Sequence, residues 1–208
     1  MKKNNRRDFI KVGVVTGVSM MAASSHAMNS TPKEIKGPFY PITPQADKDF
    51  DLTQVDGQTG VAEGDVVEIM GRVLDTEGNP IPDATVDIWQ ANAAGRYRHP
   101  HDNNDAPLDP FFQGWAIVSS GTEGAFRFKT IIPGAYPVMP NWTRPPHIHF
   151  KVSKAGFHEL ITQMYFPDHP LNDVDHLLQG KSKAEQAMMV AKEVRDQVLS
   201  YDIVLNQV

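Results

Sequence analysis

Residues 147–153 read HIHFKVS, and apolar side chains occupy every second position of this stretch. A period of two is typical of a β-strand, whose successive side chains point to opposite faces. One face suits a hydrophobic core and consists of Ile148, Phe150 and Val152. The opposite face carries His147 and His149 together. The stretch therefore predicts a strand that buries one face and presents two imidazoles to a common metal ion on the other.

Similar short strand patterns occur on both sides of this stretch, at residues 66–74, 85–91, 125–130 and 160–166. Turns rich in Gly and Pro separate them, as at residues 78–80. Several short strands at this spacing predict an all-β fold, a β-sandwich of mostly antiparallel strands. Residues 92–113 show little regular pattern, and long irregular loops in a compact domain are usually functional.

One helix is predicted near the C-terminus. Ser182 and Glu185 have the spacing of a capping box, which marks a helix start. The apolar residues that follow recur with helical spacing and would form one stripe: Ala184, Ala187, Met188, Ala191, Val194 and Val198. We expect this helix to pack on the outside of the sandwich.

Composition restricts the possible functions. The 208 residues carry a net charge of -5 and contain no cysteine. Disulfides, thiolate catalysis and cysteine-ligated metal sites are therefore excluded. Without a basic excess, nucleic acid is not an expected partner. Any metal would be held by His, Asp, Glu or Tyr.

The N-terminus resembles an export signal. Arg6 and Arg7 precede a short apolar run, and small residues follow up to Ala27. This order predicts a signal over residues 1–27, and the paired arginines favour the twin-arginine export machinery. The run is a poor membrane span, so we expect a periplasmic or secreted protein. Retention of the signal as an anchor, and a disordered terminus on a cytosolic protein, remain alternatives.

Two tyrosines stand in constrained settings near the histidine pair. Tyr136 lies in a turn between Gly134 and Pro137, and Tyr97 begins the irregular loop. A phenol has a pKa of about 10 and is normally protonated at neutral pH. A hard trivalent cation would ionise it, as bound metals acidify water and thiols. Two tyrosines and two histidines are thus candidate ligands for ferric iron.

Several segments together resemble the intradiol ring-cleavage dioxygenases, and within that family the iron-binding β subunits of protocatechuate 3,4-dioxygenases. The matching segments are residues 88–93, 95–99, 106–110, 128–137 and 144–150. The resemblance implies a catalytic β-sandwich domain at residues 64–208, preceded by an extended lead-in at residues 28–63. It also implies that the protein uses Fe(III) and O2 to cleave a small aromatic diol to a cis,cis-muconate-type diacid. The protein is expected to be oligomeric.

The same resemblance assigns roles to individual residues. Tyr97 and His149 would be equatorial ligands, and Tyr136 and His147 axial ligands, with Tyr136 leaving the iron to take a substrate proton. Arg144 would face the bound ring and Gln163 would be its partner. Trp89 and Tyr40 would line the substrate pocket. Val138 stands where the protocatechuate enzymes have a tryptophan, so protocatechuate, catechol and hydroxyquinol all remain open as substrates.

Other interpretations of these residues remain open at this point. Trp89 and Gln163 could be ordinary strand residues, and Arg144 could form a surface ion pair. His99 and His101 are expected to be solvated loop residues. A non-catalytic, transthyretin-like binding module would have similar strands without needing the four candidate ligands. An Fe(II) extradiol enzyme would use two histidines and one carboxylate.

Overall fold

The computed structural model describes residues 27–208. The predicted twin-arginine signal therefore lies outside the described residues, apart from its last residue. Within the described range, no helix is both long and apolar enough to cross a membrane.

The first sheet is built around one long strand. β1 (Val66–Asp75) pairs along one edge with β4 (Ala125–Ile131), antiparallel to it. Its other edge receives two short parallel strands in succession, β10 (Val198–Ser200) and β11 (Ile203–Leu205). β9 (Lys192–Arg195) pairs with β10 and completes the sheet. The C-terminal part of the chain thus returns to the strand with which the sandwich begins.

The second sheet is fully antiparallel and carries the two histidines. Its order is β3-β2-β7-β8. The strands are β2 (Thr85–Trp89), β3 (Trp115–Ser119), β7 (His147–Ser153) and β8 (Leu160–Tyr165). The predicted strand at residues 147–153 is confirmed with the same bounds.

The core lies between the two sheets. β7 contributes Ile148, Phe150 and Val152, all fully buried, as the alternation predicted. The Phe150 ring lies 6.3 Å from that of Phe126 and 6.0 Å from that of Phe128, both on β4 of the opposite sheet. Such contacts across the interface define a sandwich. The all-β, mostly antiparallel sandwich is thereby confirmed.

A hairpin and short helices surround the end of the second sheet. The hairpin consists of β5 (Tyr136–Met139) and β6 (Trp142–Arg144). A 3₁₀ turn (Pro170–Val174) leads into α1 (His176–Gln179), and α2 (Lys183–Met189) follows. The hairpin, together with α1, stands beside the outer face of the second sheet.

The predicted C-terminal helix begins where expected, but its predicted length is wrong. The capping box between Ser182 and Glu185 is present, yet α2 ends at Met189. The Ala191 N–H then donates to the Tyr165 carbonyl, which pulls the chain onto the edge of β8. Val194 and Val198 lie on β9 and β10, not on a helical stripe. Val190, Val194 and Val198 recur every four residues, a spacing that fits both a strand and a helix, and sheet pairing decided between the two.

The lead-in before β1 crosses both sheets. The Thr31 N–H donates to the Val204 carbonyl on β11, and the Thr31 hydroxyl oxygen accepts from the Val204 N–H. Further along, the Glu34 N–H donates to the Ile161 carbonyl on β8. The division between lead-in and catalytic domain at residues 63 and 64 stays a prediction.

Candidate metal centre

The pairing of β2, β7 and β8 places the candidate residues in rows on the outer face of the second sheet. His149 lies directly opposite Trp89 on one side and Gln163 on the other. His147 lies opposite Tyr165 in the next row. Directly opposed residues on one face are close neighbours, so strand register alone assembles this part of the site.

Four donor atoms converge above this face. The Tyr97 hydroxyl oxygen lies 3.1 Å from Nε2 of His149 and 3.5 Å from Nε2 of His147. The Tyr136 hydroxyl oxygen lies 3.3 Å from the same nitrogen of His147. Donors about 2 Å from one ion and at right angles to each other are about 3 Å apart. The structure thus brings together all four residues proposed as metal ligands.

A loop held by its own side chains presents Tyr97. The Tyr97 N–H donates to the buried carboxylate of Asp102 at 2.7 Å. Asn92 accepts from the N–H groups of Ala94 and Arg96, which closes the turn through Gly95. Such Asx contacts fix a loop without regular secondary structure. The irregular segment is therefore well ordered where it delivers the phenol.

The hairpin positions Tyr136 and Arg144 together. The two residues face each other across β5 and β6. At the start of β5 the chain passes closely under the Tyr97 loop, where the Gly134 N–H donates to the Asn92 carbonyl. A side chain at Gly134 would collide with the backbone of Ala93 and Gly95. The Gly-Ala-Tyr-Pro turn seen in the sequence is thus required by this close approach.

Both histidines are neutral in this environment. Burial, followed by the charge of Arg144, lowers the pKa of His149 to about 3 and that of His147 well below its ordinary value. Nδ1 of His147 lies 2.7 Å from the Pro145 carbonyl, which can only accept a hydrogen bond. Nδ1 therefore carries the proton, and the Nε2 lone pair points at the phenols. This is the state in which an imidazole binds a metal.

The two phenols need a cation in order to ionise. Burial raises the pKa of Tyr97 well above its ordinary value, and burial also raises that of Tyr136. A bound metal would reverse this shift, as it does for other coordinated oxygen acids. Two phenol oxygens and two imidazole nitrogens, with no sulfur donor, fit a hard trivalent ion such as Fe(III). The residues present therefore fit the implied cofactor.

Arg144 is almost fully buried at the cavity wall, in a cluster of polar side chains. Its Nη2 donates to Gln163 at 2.6 Å, which is the pairing that the family resemblance implied. The same nitrogen donates to the Tyr165 hydroxyl at 2.9 Å, and Nε donates to the fully buried Asp175 at 2.7 Å. Although burial opposes ionisation, electrostatic interaction with Tyr165 and Asp175 raises the pKa of Arg144. The guanidinium is thus a permanent buried cation and not a surface ion pair.

Asp175 and Tyr165 were missed at the level of sequence. Tyr165 could have been found, because it shares a strand face with Gln163 by alternation and lies opposite His147. Asp175 carries no comparable signal, since it precedes a helix of one turn.

Trp89 and Tyr40 lie behind His149. The fully buried Trp89 ring stacks on the His149 imidazole, with centroids 4.8 Å apart and planes 8° apart. Tyr40 meets the edge of Trp89, and its hydroxyl donates to Asp87 at 2.7 Å. Neither residue is on the wall of the cavity described next. Their assignment to substrate binding stays a prediction.

A cavity of about 630 Å³ opens onto two of the four donor residues, Tyr136 and His149. Its wall includes Tyr136, Arg144 and His149, but neither Tyr97 nor His147. His101 also lies on the wall and is exposed, as expected of a loop residue. His99, in contrast, is buried, since its ring packs 5.7 Å from that of Phe39. Neither of these two histidines belongs to the convergent set of donors.

Comparison with known proteins supports the same assignment. The sequence profile of the family described as Dioxygenase matches residues 35–207. The chain is 45% identical over 147 residues to a protocatechuate 3,4-dioxygenase beta chain of Burkholderia cepacia, covering 69% of this chain and 63% of that one. It is 29% identical to an intradiol ring-cleavage dioxygenase of Aspergillus niger, over 96% of this chain and 65% of that one. The chain thus spans slightly less than two thirds of the length of these relatives.

A solved structure shows the same fold. The dioxygenase domain of a dioxygenase–carbohydrate-binding protein fusion from Streptomyces sp. SirexAA-E aligns with a TM-score of 0.65 at 26% identity. The alignment covers 86% of this chain and all of that domain. The sandwich, the convergent donors and the profile match over most of the sequence agree, and the chain belongs to the intradiol ring-cleavage dioxygenase family.

Proposed function

We propose that this protein cleaves a catechol-type ring between its two hydroxylated carbons, using Fe(III) and O2, to give a cis,cis-muconate-type diacid. The observation that carries the proposal is the convergence of two phenols and two neutral imidazoles at the base of an open cavity. Tyr97, Tyr136, His147 and His149 would hold the iron. When bound, the iron would supply Lewis acidity toward the oxygens of the diol.

The two tyrosines differ in their access to a substrate. Tyr136 is on the cavity wall and partly exposed, whereas Tyr97 is buried and behind the wall. A diol entering the cavity can therefore meet the Tyr136 oxygen but not the Tyr97 oxygen. This placement supports Tyr136 as the group that accepts a proton from a substrate hydroxyl and Tyr97 as the group that remains in place.

Arg144 supplies a fixed positive charge beside the ring. Two of its nitrogens are held by Asp175, Gln163 and Tyr165, so the guanidinium does not have to reorganise during the reaction. A charge prearranged in this way stabilises negative charge that develops on the substrate. Arg144 is on the wall of the same cavity as Tyr136, and it would act on the ring carbons during cleavage.

The test is product analysis on iron-loaded protein. With catechol and ¹⁸O2, both labelled atoms should appear in one ring-opened diacid, and the concentrated protein should be wine-red from tyrosinate-to-iron charge transfer. His149→Gln should lose iron and colour, whereas the same change at the exposed His158 should alter neither. Stoichiometric zinc without iron-dependent activity would refute the proposal. A colourless protein that binds no iron would instead favour the non-catalytic binding module.

A further inference from the structure

The walls of the cavity above the donor atoms are largely apolar. Three apolar side chains stand on the hairpin and on α1, which flank the site: Val138, Trp142 and Leu177. Val138 is two residues beyond Tyr136 on β5, and Leu177 lies in the first turn of α1. A ring bound at Tyr136 therefore has hydrocarbon beside it on this part of the wall.

The ionisable groups on the wall do not favour an anion. Among the described residues that line the cavity, Arg144 is the single lysine or arginine. The carboxylate of the fully buried Asp175 lies 2.7 Å from its Nε and balances its charge. The acidic residues on the wall itself are Asp102 and Asp105. Asp102 is held by the N–H groups of Tyr97 and Asn104, whereas Asp105 is exposed. The other basic side chains on the wall are the imidazoles of His101 and His149.

Resting on the proposed function, we infer that this site selects a catechol whose other substituents are uncharged and disfavours a ring that carries a carboxylate. Moving a carboxylate from water to an apolar wall without a partner cation is unfavourable. The carboxylates of Asp102 and Asp105 would add repulsion. Alkyl or halogen substituents would instead gain from contact with Val138 and Leu177.

A pair of matched diols tests the inference on the iron-loaded enzyme. 4-Methylcatechol and 3,4-dihydroxybenzoate differ at one ring position, by a methyl group against a carboxylate. The expected kcat/KM is lower for the benzoate by about tenfold or more, since one unit charge pair near a protein surface is worth this much. Anaerobic calorimetry should show the same order of dissociation constants. Equal or better use of the benzoate would overturn the inference.

Failure of the inference and failure of the proposed function are distinguishable. If neither diol nor catechol itself is cleaved, the proposed function is wrong, and the calorimetric order of the two diols alone decides the inference. If the benzoate is cleaved faster and bound more tightly, the function stands and the inference is wrong. If neither diol binds, both are wrong.

A positive charge introduced on the wall should weaken the preference for the uncharged substrate. Val138→Arg places a cation beside the ring, so kcat/KM for 3,4-dihydroxybenzoate should rise relative to that for 4-methylcatechol by roughly tenfold. The control is Val194→Arg, because Val194 is 53% exposed on β9, away from the cavity wall, and Val138 is 48% exposed. If the ratio of kcat/KM for the two diols is unchanged in a folded Val138→Arg protein, the ring substituent does not lie beside Val138 and the inference is contradicted.

Discussion

Tyr97 and Tyr136 carry the same phenol but meet the solvent differently. Tyr97 is 3% exposed and held through the Asp102 carboxylate, whereas Tyr136 stands on the wall of the cavity. Because only Tyr136 is accessible from the cavity, Tyr97 is suited to be a fixed ligand and Tyr136 an exchangeable one.

Removing the two hydroxyls should therefore have different effects. We expect Tyr136→Phe to keep its iron and lose turnover by about 10²–10⁴-fold, the usual contribution of a general base. Tyr97→Phe should instead change the iron content and the visible spectrum, because a permanent anionic ligand is lost. The measurements are metal content, spectrum and single-turnover rate with catechol. Wild-type turnover by Tyr136→Phe would contradict these roles.

Asp175 joins two parts of the site. One carboxylate oxygen accepts from Nε of Arg144, and the other accepts from the N–H groups of Leu177 and Leu178 at the start of α1. The same residue thus fixes the cation and the helix that carries a wall side chain. We regard Asp175 as a positioning residue.

Asp175→Asn should keep the helix cap but leave the Arg144 cation without its counter-charge. Breaking a buried ion pair costs about 3–5 kcal/mol of stability, and kcat should fall while the iron content is retained. Ser182→Ala is the control, since it removes the cap of α2 at a cost of about 1 kcal/mol and should leave kcat unchanged. If the two variants lose stability and leave kcat equally unaffected, the role of Asp175 is only structural.

Individual contacts were predictable where strand alternation determines them. Alternation predicted the shared face of His147 and His149. The pairing of Arg144 with Gln163 was expected only from the family resemblance, and the structure contains this hydrogen bond. The Arg144–Asp175 pair joins a hairpin to a helix of one turn, more than thirty residues apart, and has no local pattern. Contacts of that kind depend on how the segments pack and not on their periodicity.

At the level of elements, Gly71 lies on β1 between the residues that pair with β10 and those that pair with β11. Between β10 and β11, the Tyr201 N–H donates to the Met70 carbonyl and the Arg72 N–H donates to Asp202. A methyl group on Gly71 would overlap the Tyr201 carbonyl oxygen. The glycine is required by this close approach of two backbones.

Gly71→Ala should therefore destabilise the sandwich by about 3 kcal/mol or more, because overpacking against backbone cannot be relieved by side-chain movement. Gly121→Ala is the matched control, since its new methyl group would meet Ala125 at an ordinary 3.7 Å and should cost less than about 1 kcal/mol. Denaturant unfolding measures both. Similar losses in the two variants would show that the β10–β11 junction adapts.

The turn after β1 is expected to make stability depend on pH. Burial opposes ionisation of Asp75, but hydrogen bonds from Asn79 and Glu77 hold the pKa of its carboxyl below the ordinary value. Because the pKa of Asp75 is lower in the folded state, its ionised carboxylate stabilises the protein above the unfolded pKa of about 4. This stabilisation is lost as the pH falls through the folded-state pKa. Asp75→Asn should thus cost about 1–3 kcal/mol at pH 7 and less at pH 3. An equal cost at both pH values would contradict this account.

The elements were predictable to different degrees. β7 was predicted with its observed bounds, and β1, β2, β4 and β8 were predicted to within two residues. β3 was missed because it lies directly after an irregular loop, and β9 and β10 were predicted as helix. Their sequences suit either structure, so the pairing of β10 with β1, far away in the chain, decides the outcome.

At the scale of the whole molecule, export through the twin-arginine route remains a proposal from the sequence. Arg6→Lys combined with Arg7→Lys should leave the precursor in the cytoplasm of a bacterium that has this pathway, because the machinery recognises the paired arginines. Lys2→Arg combined with Lys3→Arg keeps the same charge and should be exported normally. Fractionation and immunoblotting measure both. Normal appearance of the first variant in the periplasm would refute the proposal.

The arrangement of β1 between β4 and the C-terminal strands has a consequence for synthesis. β1 ends at Asp75, and its parallel neighbour β10 begins at Val198, about 120 residues later. At roughly 5–20 residues per second, a ribosome needs about 6–25 s to make the intervening chain. During that time one edge of β1 has no native partner, and unpaired strand edges are templates for aggregation. Slower translation lengthens this interval on every nascent chain, so yield should depend on elongation rate and on chaperones that cover the edge.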